Sequence, residues 1–313
     1  MEIVKKIKAK ARESVRRIVL PEGDEPRTME AARIVREEGV AEPILLTADL
    51  IASAENRHRL DSYASALYEL RKAKGLSKEA AARLAADPMY YGMMMVKQGD
   101  ADGLVSGAVH STGDMLRPAL QTIKTAPGMK LVSSAFLLES PLAKFGESGL
   151  LVLADCVVNP CPNAEELANI AVATANTARA LCDFDEPRVA MLSFSSKGSA
   201  EHPLVDKVRE ATSIAHALAP DLLVDGELQL DAALVPEVAA LKAAGSPVAG
   251  RANVLIFPDL QSGNIGYKIA QRLGGAACFA VLQGLASPCN DLSRGCSVDD
   301  IVNTIAATAV QVR

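Results

Sequence analysis

Asn253-Val254-Leu255-Ile256-Phe257 is an almost wholly apolar run, and Asp259-Leu260-Gln261-Ser262-Gly263-Asn264-Ile265-Gly266 follows after a single proline. A strand that is apolar at successive positions must be buried on both faces, which is the condition of a strand inside a parallel sheet. In an open α/β sheet the carboxyl end of such a strand leads through a small-residue turn into a helix, and ligands bind there. The same arrangement recurs along the chain. Residues 17–20, 43–47, 103–106, 150–154, 188–193, 222–225, 253–257 and 276–282 read as strands. Helical spacing covers 26–38, 64–73, 88–98, 164–181, 203–218, 232–243 and 264–273 between them. The alternation predicts mostly parallel sheets covered by helices. A β-rich run at 131–139 would cross between domains, and a last helix at 298–310 would return to the first.

The chain has 313 residues, the length of about two domains. Hydrophobic residues make up 49% and charged residues 23%, so a core is available, but Trp is absent and aromatics are only 4%. The core is therefore aliphatic, and so low an aromatic content argues against base stacking as a binding mode. A net charge of −5 argues against a nucleic-acid binder. Residues 1–17 are basic but lack an apolar stretch, so they read as a surface helix and not as a secretory leader. No run of about 18 apolar residues predicts a membrane span. The six cysteines form no CxxC pair and the four histidines are not at ligand spacing from them, which predicts free thiols in a reducing cytoplasm and no metal site.

Four small-residue turns stand where strands meet helices. They are Ser106-Gly107-Ala108-Val109-His110-Ser111-Thr112-Gly113-Asp114, Ser193-Phe194-Ser195-Ser196-Lys197-Gly198-Ser199, the 259–266 segment, and Asn290-Asp291-Leu292-Ser293-Arg294-Gly295-Cys296-Ser297-Val298-Asp299-Asp300. Glycine lets the backbone approach an anion, and Ser or Thr adds donors. None has the form GxxxxGK[ST] or GxGxxG, so four such turns point to a phosphorylated or acyl-phosphate ligand without a P-loop or a dinucleotide fingerprint.

The last turn carries the most chemistry. Ser293 and Arg294 suit a phosphate or a developing oxyanion, and Asp300 suits a proton acceptor. Ser297-x-x-Asp300 is equally a capping box, in which the carboxylate only satisfies backbone donors. Arg117, before Pro118, reads as a ligand-binding cation at a helix start. Arg71 and Lys72 at a helix end would simply offset the dipole. His110 reads as a hydrogen-bonded structural residue and Met93-Met94-Met95 as core. Cys296 at a helix start has a feature of a nucleophile but no neighbouring histidine.

Taken together, these segments resemble the phosphate acetyltransferase (phosphotransacetylase) family over essentially the full length. The segments that carry the likeness are Leu20-Pro21-Glu22-Gly23, Asp87-Pro88-Met89-Tyr90-Tyr91, Ala101-Asp102-Gly103-Leu104-Val105-Ser106-Gly107-Ala108 and Thr112-Gly113-Asp114-Met115-Leu116-Arg117-Pro118. Asp155-Cys156-Val157-Val158-Asn159-Pro160, Ser195-Ser196-Lys197-Gly198-Ser199 and the 290–296 turn complete it. The resemblance implies two three-layer α/β domains like those of isocitrate and isopropylmalate dehydrogenases, with an active-site cleft between them. It places 1–128 plus 281–313 in the first domain and 129–280 in a second, inserted one. It further implies a cytoplasmic homodimer that moves an acetyl group reversibly between coenzyme A and inorganic phosphate. Acetyl-CoA, phosphate and acetyl phosphate would be substrates, with no tightly bound cofactor.

By the same resemblance Asp300 is the base for the coenzyme A thiol, and Ser293 and Arg294 position acetyl phosphate and stabilise the tetrahedral intermediate. Arg117 and Arg71 bind coenzyme A, and the Thr112-Gly113 turn contributes to substrate binding. The chemistry agrees: a thiol of pKa about 8.5 needs a base at neutral pH, and the carbonyl oxygen it attacks needs fixed donors. An ordinary carboxylate of pKa about 4 would deprotonate it uphill by about 6 kcal/mol, so proton transfer is expected to be concerted with attack. Other readings are a phosphate butyryltransferase, a non-catalytic acyl-CoA-binding regulatory module of the kind found fused to malic enzyme, and a metal-dependent decarboxylating dehydrogenase of similar fold. The last would need an aspartate cluster that the sequence does not offer.

Overall fold

The computed structural model describes residues 1–312. In chain order it runs α1 (Glu2–Glu13), β1 (Arg16–Leu20), α2 (Pro26–Glu37), β2 (Ala41–Leu45), α3 (Ala48–Ala52), α4 (Arg57–Arg71), α5 (Lys78–Ala85), α6 (Pro88–Gln98), β3 (Gly103–Ser106) and α7 (Thr112–Thr122). Next come β4 (Ser133–Glu139), β5 (Leu150–Ala154), α8 (Ala164–Cys182), β6 (Arg188–Leu192), α9 (Pro203–Leu218), β7 (Leu223–Leu228), α10 (Leu230–Leu234), α11 (Pro236–Lys242), β8 (Val254–Ile256), α12 (Leu260–Arg272) and β9 (Ala277–Gln283). The chain ends with β10 (Cys289–Asp291) and α13 (Val298–Gln311).

Two compact units form. One, the split unit, comprises Val4–Pro127 with Leu285–Arg313; the other, the central unit, comprises Gly128–Gly284 with Met1–Ile3. The split unit holds a four-stranded sheet in the order β10-β3-β1-β2, parallel throughout. Because α13 carries a long apolar face, it packs on α2, β3 and β1, burying Ile301, Val302, Ile305 and Ala306. Helix α6 lies close over the sheet where Gly92 sits: a Cβ there would come within 2.9 Å of a Val19 methyl. Met93, Met94 and Met95 beside it are buried, the core role expected of them.

The central unit holds a six-stranded sheet, β7-β6-β8-β5-β4-β9. Its first four strands are parallel, while β4 runs antiparallel to both β5 and β9. The run expected to cross between domains is thus a ladder strand of the central unit. The apolar core of this unit gathers Phe136, Leu153, Ala190, Leu228 and Leu255.

Two helix expectations change. The helix read over 232–243 is two short ones, because Pro236 has no N–H to donate and instead opens α11. Arg117 is not at a helix start: Ser111 and Asp114 form a reciprocal capping box that begins α7 five residues earlier, and Pro118 lies inside the helix.

Candidate active site

Since β1, β3 and β10 are parallel neighbours, their carboxyl ends emerge together at one edge of the split unit's sheet. The turns that follow lead into α2, α7 and α13, so three helix N-termini gather there, each with one N–H taken by a side-chain cap. The 290–300 motif and the 106–114 turn, far apart in sequence, become adjacent through strand pairing: Asp291 lies opposite Ser106, and the Leu292 N–H donates to the Ser106 carbonyl at 2.8 Å.

Two residues given no role from sequence hold these turns. Glu22, straight after β1, is only 6% exposed. Its carboxylate accepts the backbone N–H groups of Gly107, Ala108, Val109 and His110 at 2.9–3.1 Å, with the His110 Nδ1 at 2.8 Å. Burial opposes its charge, yet the Val109 N–H, the His110 ring and the His110 and Ala108 N–H groups win, and its pKa is lowered. His110 is therefore the structural partner that was expected. Gly107 is required here: its φ is +113°, and a Cβ would lie 2.5 Å from the Asp291 Oδ1.

The second is Arg27, in the first turn of α2. Its Nη1 donates to the carbonyls of Arg294 at 3.1 Å and Cys296 at 2.8 Å, its Nη2 to the Ala108 carbonyl at 3.0 Å, and its Nε to Glu25 at 2.6 Å. One rigid guanidinium fork thus ties the Ser293–Arg294 turn to the 107–111 turn. Burial pushes the Cys296 thiol up against the opposing pull of Arg27, which disfavours the thiolate a nucleophile would need.

Ser293, Arg294 and Asp300 are exposed, whereas Leu292 and Cys296 on either side of the turn are buried. Ser297 and Asp300 form the capping box read from sequence. It engages one carboxylate oxygen only: Oδ2 accepts the Ser297 N–H and hydroxyl, each at 2.8 Å, while Oδ1 has no hydrogen-bond partner among the described residues. The cap and a proton acceptor are compatible in the same side chain.

Thr112 opens α7 and its hydroxyl donates to the Asp291 Oδ2 at 2.5 Å, linking the Thr112-Gly113 turn to the residue two before Ser293. Arg117 lies further along α7 and Arg71 ends α4. Burial pushes the Tyr90 phenol up while Arg117 and then Arg71 pull it down, so both guanidiniums act on one ring, which is itself anchored to Gln121 at 2.8 Å. Arg71, Arg117 and Arg294 make no ion pair among the described residues, unlike Arg17, Arg27 and Arg209, which do. Unpaired cations suit an anionic ligand of several charges. A cavity of about 510 Å³ lies instead along α4 and α5 beside Tyr68 and Lys78, and Ser293, Arg294 and Asp300 do not line it. Among the described residues no His, Cys, Asp or Glu cluster suits a metal ion, and no helix is long and apolar enough to cross a membrane.

Three helix starts, the unpaired guanidinium of Arg294 and the half-free carboxylate of Asp300 thus stand at one sheet edge of an α/β unit. The chain belongs to the phosphate acetyl/butaryl transferase family, whose model matches residues 2–309, and it is an acyltransferase. It is 59% identical to the phosphate acetyltransferase of Thermoanaerobacterium thermosaccharolyticum, with 100% of each chain covered. It is 50% identical to that of Clostridium acetobutylicum, covering 100% of this chain and 99% of the relative. A phosphotransacetylase crystal structure from Streptococcus pyogenes superposes with a TM-score of 0.92 at 47% identity, over 99% of this chain and 98% of that one.

Proposed function

We propose that the chain is a phosphate acetyltransferase, moving an acetyl group reversibly between coenzyme A and inorganic phosphate at the carboxyl edge of the split unit's sheet. In the direction of thioester synthesis, the coenzyme A sulfur attacks the carbonyl carbon of acetyl phosphate. Asp300 Oδ1 accepts the thiol proton as the S–C bond forms. Arg294 and Ser293 hold the carbonyl oxygen as it becomes negative, the C–O bond to phosphate then breaks, and phosphate leaves with its charge met by cations and N–H groups. Arg71 and Arg117 bind the phosphates of coenzyme A, and the Thr112-Gly113 turn adds donors at the start of α7. Coenzyme A is a substrate that comes and goes, and the working enzyme is a cytoplasmic homodimer.

The observation that supports this reading most is the free Oδ1 of Asp300 on the helix that follows the Ser293–Arg294 turn. The test is thiol release from acetyl-CoA with and without phosphate. Acetyl phosphate appearing in step with free thiol is the expected result; phosphate-independent release would mean a thioesterase. Butyryl-CoA in the same assay separates an acetyl enzyme from a butyryl one.

A further inference from the structure

The Asp291 carboxyl group is the one carboxylate at this sheet edge that has a buried oxygen without a hydrogen-bond partner among the described residues. Its Oδ2 accepts the Thr112 hydroxyl, but its Oδ1 is buried with no hydrogen-bond partner. That oxygen lies against the backbone of Gly107, where no Cβ fits. On the facing strand the Ser106 hydroxyl is likewise buried and unpartnered, so it does not supply the missing donor. Glu22, by contrast, takes four backbone N–H groups and the His110 ring. Two carboxylates therefore stand close together, one fully provided with donors and one not, directly before the turn that would receive phosphate.

We propose that Asp291 is a positioning residue that works as the neutral acid: through Thr112 it ties the Ser293–Arg294 turn to the start of α7, and it takes up a proton when the phosphate dianion binds. This rests on the acyl-transfer reading above. An ionised Asp291 beside Glu22 and an incoming dianion would be a third like charge in a poorly solvated place, and protonation removes it. Burial pushes the Asp291 pKa up to about 6; the Thr112 bond and the neighbouring Leu292 N–H oppose that, and the Glu22 charge reinforces it. The other charged or titratable groups around it are His110 on Glu22, Arg27 from α2, Arg294 and Cys296 in its own turn, Asp114 and Arg117 on α7, and Asp299 and Asp300 at the start of α13.

The test compares the Michaelis constant for phosphate in the parent enzyme and in Asp291→Asn across pH 5.5 to 8. The ionisation of phosphate and of coenzyme A is common to both proteins and cancels in the ratio. Binding favours the protonated acid, so the parent constant is expected to rise relative to that of Asp291→Asn, by about fivefold between pH 6 and pH 7 for one proton of that pKa. A constant ratio for Asp291→Asn overturns the proposal. Should Asp291→Asn fail to fold, Thr112→Val serves: losing the hydroxyl bond raises the Asp291 pKa, so the rise in the constant moves to higher pH, and an unmoved rise overturns the proposal. A parent protein with no phosphate-dependent turnover would strike the acyl-transfer reading instead.

Discussion

Asp300 holds the N–H and the hydroxyl of Ser297 with a single oxygen, both at 2.8 Å, and leaves its other oxygen without a partner among the described residues. Capping and proton transfer can therefore be separated by substitution. Asp300→Asn keeps an acceptor for the cap but loses the base, so kcat should fall by about 10²–10⁴-fold while the melting temperature moves little. Ser297→Ala should do the reverse, costing about 1 kcal/mol of stability with a much smaller change in kcat. Steady-state kinetics and thermal melts of the two variants check this; turnover of Asp300→Asn within a few-fold of the parent would leave Asp300 as a cap alone.

Arg294→Ala should lower kcat by about 10²–10³-fold, the usual cost of removing a donor aimed at a developing oxyanion. Arg294 is exposed and unpaired, so the fold should survive unchanged. Loss of activity confined to the Michaelis constant would assign Arg294 to ground-state binding instead.

Arg27 spans two turns with one guanidinium and should not be replaceable by lysine, which lacks the planar fork. Arg27→Lys is expected to lose activity by at least about tenfold through misplacement of the Ser293–Arg294 turn. It should also expose Cys296, so that this thiol reacts faster with a thiol reagent than in the parent. Unaltered Cys296 labelling in an inactive variant would show that Arg27 contributes chemistry and not position.

Acid sensitivity follows from the buried carboxylates. Glu22 has its pKa lowered, and Glu227 is held down to about 2 because Arg209, the Gly198 N–H and Ser195 outweigh its burial. A carboxylate with a depressed folded pKa contributes fully above the unfolded value of 4.5, and that stability is lost as pH falls through the folded value. Stability should therefore decline between about pH 4.5 and pH 2, and Glu227→Gln should flatten that limb. At neutral pH Glu22→Gln, which turns an amide toward N–H donors, should cost about 2–3 kcal/mol. Urea melts at several pH values measure both.

The capping box was legible because it is local: Ser297 and Asp300 lie three residues apart at a helix start, where spacing alone assigns the cap. Arg117 was misplaced because Pro118 suggests a helix start, whereas the Ser111–Asp114 box upstream had already begun α7. Glu22 and Arg27 went unread for another reason. Their long-range partners lie 81–88 and 267–269 residues away, and a glutamate or arginine near a strand end looks like any solvated charge.

From the amino-acid order alone came the alternation of apolar strands with helices, the aliphatic core and the small-residue turns. Each is set within a few residues, by which side chains must leave water. Folding in three dimensions settled which turns meet. The pairing of β10 with β3 puts Asp291 beside Ser106 and Thr112, and the order β10-β3-β1 brings Glu22 and Arg27, both from the segment after β1, to those turns. Those relations, and the incomplete hydrogen bonding of Asp291, arise from contacts between segments distant in the chain, where hydrophobic periodicity carries no information.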